Sequence, residues 1–478
     1  MSHPTLAILC HFATILSIMR ERTRELGLLI IGDVFCFIAA LYLTLSVRYI
    51  ELPSQELLRV HLVPFLIFTG LWILTFFIAG LYDKQTRIAR MRMMGRIVYA
   101  QFVNILIALT LFFALPFGIS PKTNLLIYLF ASIGLISLWR VYLYPWLDGT
   151  RRKRMHALLI ASGTEAHELL HEINANNRFG YKIVHHIDPE NSMRDVPGAP
   201  ALQKMISQKN IDLIIVNTSL LYAQHTLTRL YSDLAAQGLP PMRDFKAIYE
   251  ETFDRVPLAT VERDWITYHS VDRDSFSYII GKRLIDIIGS SVLLLGFVIF
   301  LPFIALAIKL DSNGPVFITQ ERIGKNGRRL KIWKLRTMTA NDSASGTFVD
   351  DKDIQEKPKN VVTRVGRYLR ATSLDEVPQC WNIILGELSL IGPRSHILGI
   401  AERMAKEIPH YKLRTAITPG ITGWAQTHQF YAPGNISPQS NEETRLCFAY
   451  DLYYITHRSL WLDIEIALRT IKTVIARI

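Results

Sequence analysis

GKRLIDIIGSSVLLLGFVIFLPFIALAIKLDSNGPV, residues 281–316, is the stretch on which the fold turns. From 284 to 310 it is nearly all apolar and long enough to cross a bilayer, but Pro302 interrupts it. Both flanks are basic: Lys282 and Arg283 before it, Lys309 and the cations of 322–336 after it. A crossing helix carries cytoplasm-type positive charge on one flank only. A proline near the middle lets a helix break and turn back, provided the freed backbone groups find partners. The run therefore reads as a re-entrant helical hairpin, residues 284–310, leaving the membrane on the side it entered. A fifth true span is the competing expectation.

The totals agree with a membrane chain. Half of the 478 residues are hydrophobic, the mean hydropathy is positive, and the net charge is +12. That length suggests two to four domains. The cysteines (Cys10, Cys36, Cys380, Cys447) are scattered without a C-x-x-C pair, which argues against a zinc site or a disulfide framework and fits a reducing compartment.

Residues 1–150 hold four more apolar runs, near 26–47, 61–81, 97–117 and 123–146. The earlier LAILCHFATILSIM (6–19) is too short to span and lacks a signal-peptide cleavage pattern. The loops at 20–25, 83–96 and 148–156 are basic, whereas 48–59 is of mixed charge and 118–122 is short and nearly neutral. That alternation predicts four transmembrane helices with both ends in the cytoplasm.

Residues 151–270 read as a Rossmann-like α/β domain. HALLIAS, YKIVHHID and IDLIIVNTS look like buried strands, and TEAHELLHEIN (164–174) and LTRLYSDLAAQG (227–238) like helices between them. The turn after the first strand, ASGTEAHE, carries only Gly163 where a dinucleotide fingerprint needs three glycines. A structural or regulatory domain is the better reading.

Residues 277–478 carry the unusual chemistry. Seven cations lie between Arg322 and Arg336 with no acid among them, interleaved with Leu330, Ile332, Trp333 and Leu335 as in a strand lying against something. Beside an apolar hairpin, such cations suit lipid headgroups or an anionic substrate rather than nucleic acid. Further on, TSLDEVPQ (372–379) sets Asp375 and Glu376 side by side. Ser373 and Glu376 have capping-box spacing, although Pro378 fits a second helical turn poorly. Arg370 and Arg394 flank the pair. Arginine forks bind phosphate oxygens, a carboxylate can attack phosphorus, and Mg2+ lets two anions approach a phosphate. The residues by themselves suggest phosphoryl chemistry at a membrane surface.

At this point the chain resembles the bacterial sugar transferases, the monotopic polyprenyl-phosphate hexose-1-phosphate transferases. The motifs, in the family's order, are GKRLID, FLPFIALAIKLDSNGPVFITQERIG, KIWKLRTM, RATSLDEVPQCWNIILGELSLIGPR, TPGITGWAQ and DLYYI. The preceding spans and α/β domain are similar to those of the family's larger members. The resemblance implies a C-terminal α+β monotopic catalytic domain, on the cytoplasmic face of the bacterial inner membrane. It would move a sugar-1-phosphate from a UDP-sugar to undecaprenyl phosphate, release UMP, and so begin exopolysaccharide, capsule or O-antigen synthesis. It implies Asp375 as nucleophile, Glu376 as Mg2+ ligand, and Arg370, Arg394, Lys334 and Arg336 near the substrate phosphates. Lys282, Arg283 and Asp286 would form the base of the re-entrant helix and Pro302 its break. A homodimer is compatible with it. The chain departs from the family at Ser395, where proline is common, and in 427–443, which matches no familiar motif. His396 and His428 receive no role. The alternatives are a non-catalytic scaffold or nucleotide-sensing regulator, and a multi-span enzyme or flippase working within the bilayer.

Overall fold

The computed structural model describes residues 3–82, 90–114, 122–147, 154–176, 179–189, 199–217, 240–261, 275–339, 361–428 and 440–475. The chain divides into two compact units, Met1–Asp244 and Phe245–Ile478.

The first unit opens with α1 (His3–Tyr49), α2 (Gln55–Ile78), α3 (Arg90–Ala114) and α4 (Lys122–Leu138). Each contains a stretch long and apolar enough to cross a membrane: Leu26–Tyr49, Gln55–Ile78, Met93–Phe112 and, continuing past α4, Asn124–Leu147. Ser54 starts α2 by accepting the Leu57 N–H. Helix α1 packs on α2 and α4, and α3 on the same two. Phe37, Phe65, Phe68, Trp72 and Tyr128 meet at their centre. One polar clasp crosses this apolar interior. Arg140, on a π-helical turn (Trp139–Leu143), donates to both carboxylate oxygens of Asp33 and, at 2.7 Å, to the Leu81 carbonyl, while the Tyr82 hydroxyl donates to Asp33 at 2.7 Å. Residues 83–89, 118–121 and 148–153, which carry much of the loop charge used above, lie outside the described residues.

The unit ends in a parallel sheet of order β2-β1-β3-β4, from β1 (Met155–Ile160), β2 (Tyr181–Ile187), β3 (Leu213–Val216) and β4 (Met242–Asp244). The first three are the strands expected from their apolar runs. The short β4 was not expected, because MRD carries no β-type pattern. The helix Thr164–Ala175 follows Gly163, whose φ of +93° suits a glycine. The helix expected over 227–238 lies outside the described residues.

The second unit begins at Phe245, earlier than the 277 read from sequence, and so shortens the α/β domain expected over 151–270. The reason is packing. Val256 and Val261 enter a core with Ile391, Met404, Trp424, Phe448 and Leu452. Val256 N–H bonds to the Ala449 carbonyl at 3.2 Å, and Trp424 Nε1 to the Asp254 carbonyl at 2.8 Å. Chain that precedes the long apolar helix thus shares one core with chain that follows it.

That helix runs from Phe276 to Asp311, with Ser275 capping its start. It is one continuous helix through Pro302, so the break expected there within 284–310 is not formed. Proline removes one intrahelical bond and bends a helix without having to end it. Both ends are pinned to the unit. Near the start, Lys282 Nζ reaches the Ile391 carbonyl (2.9 Å) and Asp463 (3.0 Å), Arg283 holds the Ile383 and Ile384 carbonyls (both 2.7 Å), and Asp286 accepts from Ser389 Oγ and Leu390 N–H. Phe297 and Ile308 pack on Leu335 and Leu369. Between these anchors Val292, Leu295, Ile299, Phe300 and Phe303 are exposed.

Beyond the helix, β5 (Phe317–Ile323) and β6 (Arg329–Leu335) form an antiparallel hairpin, the strand expected from the interleaved cations. The parallel pair β7 (Ser389–Ile391) and β8 (Gly420–Thr422) brings the GPR and TPGITG segments together. A Cβ on Gly420 would lie 2.1 Å from the Gly392 nitrogen, so this crossing tolerates no side chain there.

Candidate active site

Asp375 and Glu376 lie on a 3₁₀ turn, Leu374–Gln379, not on the first turn of an α-helix. The capping box expected from Ser373 and Glu376 is absent. Ser373 sits in the left-handed region (φ +58°) and its side chain caps nothing. The 3₁₀ geometry accommodates Pro378, which the α-helical reading did not. A left-handed serine is strained, and strain of this kind gathers where a turn must aim side chains. The turn is fixed by Asn382, whose Nδ2 donates to the Lys331 carbonyl (2.9 Å) and whose Oδ1 accepts from Trp333 N–H (3.3 Å). Ile332, Ile383 and Leu388 close a small core beneath.

Strand β6 thereby delivers Lys334 to Glu376, with Nζ 3.2 Å from Oε1. Arg394, just after β7, grips the same carboxylate with Nη2 at 2.6 Å from Oε1 and Nη1 at 3.3 Å from Oε2. These two cations hold Glu376 well below the usual carboxylate range, against its burial. Asp375 behaves oppositely. Burial and the neighbouring Glu376 charge push it up to about 6, while Lys334, Arg370 and Arg394 pull the other way. No hydrogen bond to its carboxylate is found among the described residues. The two acids therefore differ: one is a fixed anion, the other a carboxylate poised near neutrality. Arg370 ends the helix Arg364–Ala371, and its guanidinium has no ion-pair partner among the described residues.

Asp375, Glu376, Arg370, Ser373 and Arg394 line a cleft of about 760 Å³, partly open to solvent. Ile421, Thr422, Gln426 and Thr427 continue its wall, and Thr470, Thr473 and Val474 of the C-terminal helix Leu460–Ile475 complete it. The sequence-predicted site residues thus divide. Asp375, Glu376, Arg370 and Arg394 come together in the cleft, with Lys334 touching Glu376. Arg336 does not join them. It is buried, and its Nη2 bonds to the Ile308 (3.3 Å) and Ser312 (2.6 Å) carbonyls at the end of the long helix. Strand alternation would put residues 334 and 336 on one face, but β6 ends at Leu335, and Arg336 just past it turns towards the helix end. Lys282, Arg283 and Asp286 anchor the helix base and do not line the cleft.

Two residues that position the site were missed. Arg414 donates to the Arg394 carbonyl (3.0 Å), to Asp451 (2.6 Å) and to the Tyr411 hydroxyl (2.6 Å), all in the interior. It fixes the chain that carries Arg394. Asp451, a lone acid within the apolar DLYYI run, was the available signal; Arg414 sits among ordinary surface-type cations and gave none. His396 packs inside this network, and burial with Arg414 beside it holds its imidazole neutral. His428 accepts from Arg469 at 2.6 Å and is pulled down to about 3, chiefly by burial. Neither histidine lines the cleft.

Fold and site together define a helix-anchored unit with an acid pair set among cations, a site for phosphate chemistry. The sequence pattern described as bacterial sugar transferase matches residues 277–477, and that of a CoA-binding domain matches 77–214. The chain is 38% identical to the exopolysaccharide production protein PSS of Rhizobium leguminosarum bv. phaseoli, over 41% of this chain and 96% of that protein. It is 41% identical to a UDP-glucose:undecaprenyl-phosphate glucose-1-phosphate transferase of Klebsiella pneumoniae, over 40% of this chain and 39% of the relative. It is 38% identical to a UDP-N-acetylgalactosamine-undecaprenyl-phosphate N-acetylgalactosaminephosphotransferase of Aeromonas hydrophila, over 41% and 44%. The chain belongs to the bacterial sugar transferase family. It spans less than half the length of the Klebsiella and Aeromonas relatives it matches.

Proposed function

We propose that this protein transfers a sugar-1-phosphate from a UDP-sugar to undecaprenyl phosphate, as the first membrane step of exopolysaccharide, capsule or O-antigen synthesis. The observation that carries the reading is the asymmetry of the acid pair. Glu376 is locked by Arg394 and Lys334, whereas Asp375 opens on the cleft beside Arg370, which has no ion-pair partner among the described residues. A carboxylate free of strong partners is the better nucleophile. An Asp375 oxygen attacks the sugar-bearing phosphorus, the bond from that phosphorus to the UMP oxygen breaks, and UMP leaves. An oxygen of the lipid phosphate then attacks the same phosphorus, breaks the acyl-phosphate bond and restores the carboxylate. Arg370 and Arg394 hold the diphosphate oxygens.

Mg2+ belongs to the same proposal. Among the described residues no cluster of three or more potential ligands exists, which excludes an all-protein cage there but suits an ion held by few carboxylates and by substrate phosphate. Among the described residues Glu376 Oε2 takes a single, long hydrogen bond, leaving a lone pair free, so Glu376 is the residue that would hold the ion. The ion would supply charge neutralisation to the diphosphate.

For topology we infer that Phe276–Asp311, bent at Pro302 without a break in the helix, dips into the membrane and leaves by the face it entered. Val256, Leu258 and Val261, before the helix, share one core with residues from Ile391 to Ile466, after it, which supports placing both flanks of the helix on one membrane face. The basic loops of the first unit point to the cytoplasmic face of the inner membrane.

The test uses the full chain in nanodiscs with Mg2+, undecaprenyl phosphate and a panel of UDP-sugars. The expected result is repeated UMP release that requires the lipid phosphate and yields a lipid-linked sugar, with at most one UMP per protein when the lipid is left out. Lipid-independent hydrolysis alone, or no release from any donor, contradicts the reading.

A further inference from the structure

The cleft has two chemically opposite sides. Arg370 and Arg394 present only N–H donors. The side built by residues 422–427 and the C-terminal helix presents mainly acceptors, because its hydroxyl protons are all in use and the second N–H of Gln426 is the one donor left over among its described side chains. Thr473 Oγ1 donates to the Arg469 carbonyl (2.9 Å), Thr427 Oγ1 to the Trp424 carbonyl (2.9 Å), and Thr470 Oγ1 to the Ile466 carbonyl (2.8 Å). Thr422 lies 2.7 Å from Thr470 and must donate to it, since a hydroxyl has one proton and that of Thr470 is taken. Every one of these oxygens keeps lone pairs. Gln426 adds a stronger acceptor. Its Nε2 donates to the Ile421 carbonyl at 3.3 Å, which fixes the amide orientation, and Oε1, buried in the wall, has no hydrogen-bond partner among the described residues.

We propose that this acceptor side seats the hexosyl group of the donor, and that Gln426 and Thr473 select which sugar is accepted. The inference rests on the donor reading above. A hexose presents several O–H donors around one ring, the complement of a wall of acceptors. A uracil presents mainly carbonyl acceptors and is usually held by stacking, and no aromatic side chain lines the cleft among the described residues. Ile421 and Val474 supply apolar surface for the C–H face of a sugar ring. With the diphosphate on the arginines, the two-sided cleft orients the donor in one direction. A site that hydrogen-bonds a substrate hydroxyl discriminates strongly against an epimer that leaves the protein group unpaired.

The test compares wild type, Gln426→Leu and Thr473→Val as full chains in nanodiscs. From a UDP-sugar panel, two hexose donors that differ at one carbon and that the wild type uses at unequal rates are chosen. The readout is the ratio of kcat/KM for the two, with UMP product inhibition measured alongside. We expect each variant to compress the ratio by about five- to tenfold, the worth of one hydrogen bond, with UMP inhibition unchanged. A merely structural role would lower both donors equally, and an unchanged ratio in both variants overturns the proposal. So does a rise in the UMP inhibition constant with the ratio intact, which would seat the nucleoside here instead. Thermal melting identifies a variant that fails to fold, and the other then decides. If the wild type uses no UDP-sugar, the donor reading falls and this proposal with it; a working wild type with insensitive variants sinks this proposal alone.

Discussion

Arg394 holds Glu376 by both carboxylate oxygens, at 2.6 and 3.3 Å. The adjacent Asp375 is left without a hydrogen-bond donor among the described residues. One backbone step therefore separates a carboxylate fixed by two cations from one that opens on the cleft. The predictions below follow from that division.

Asp375→Asn should reduce turnover by about a thousandfold or more, since an amide is no nucleophile towards phosphorus. The same variant should be more stable at neutral pH. The group is raised from 3.8 to about 6 on folding, so the folded state keeps a proton that the unfolded chain has already released. Its stabilising effect is present below 3.8 and is lost as pH rises through about 6. Above that the ionised, buried carboxylate works against the fold by up to about 3 kcal/mol. A thermal midpoint that rises above wild type at pH 7.5, and loses that advantage near pH 4, bears this out. A lower midpoint at pH 7.5 would count against the raised pKa.

The same shift governs activity. In the proposed mechanism only ionised Asp375 attacks, so kcat/KM should rise with pH through about 6 and level off above it. The profile should be measured at saturating Mg2+. A flat profile between pH 5 and 8 would mean that Asp375 is already ionised in the free enzyme.

Arg370 and Arg394 should separate when each is changed to alanine. Arg370 has no ion-pair partner among the described residues, so Arg370→Ala should raise KM for the donor about tenfold or more with little loss of stability. Arg394→Ala also strips Glu376 of its main counter-charge. It should lose activity and about 2 kcal/mol of stability together, discounted for the partial exposure of Arg394. Equal melting points for the two variants would contradict the division of roles.

Arg336→Met should affect stability and leave donor KM near wild type. The side chain caps the Ile308 and Ser312 carbonyls and does not face the cleft. A selective KM increase would return Arg336 to the substrate site.

Arg414→Met and Asp451→Asn should each lower stability by about 3 kcal/mol, because each leaves a buried partner unpaired. Through the Arg394 carbonyl, Arg414→Met should also lower kcat/KM. The double variant should be less damaging than the sum of the singles, as for any residues acting through one contact.

Much of this was legible in the sequence because it is written in local pattern. Apolar runs gave the helices of the first unit, period-two alternation gave β6, and the order of the motifs gave the acid pair with Arg370 and Arg394. What was not legible depends on tertiary packing. The boundary at Phe245 is set by Val256 and Val261 entering a distant core. The fate of Arg336 depends on which way the chain turns after Leu335. Ser373 and Glu376 fit a capping box on spacing, yet the serine's left-handed backbone forbids it, and spacing carries no dihedral. Arg414 lies twenty residues beyond the Arg394 carbonyl it holds, a separation no local pattern records. The threonine side of the cleft joins residues 422–427 to 470–474, and only the packing of the C-terminal helix brings those together.

The measurement that bears most directly on the central claim is a search for the covalent intermediate. Purified protein in nanodiscs is incubated with Mg2+ and UDP-sugars but without lipid acceptor, then digested and analysed by mass. The account predicts a phosphosugar adduct on the peptide containing Asp375, absent in Asp375→Asn and discharged when undecaprenyl phosphate is added. A protein that turns over with the lipid present, yet shows no adduct from any donor it uses, would contradict it and point to direct transfer.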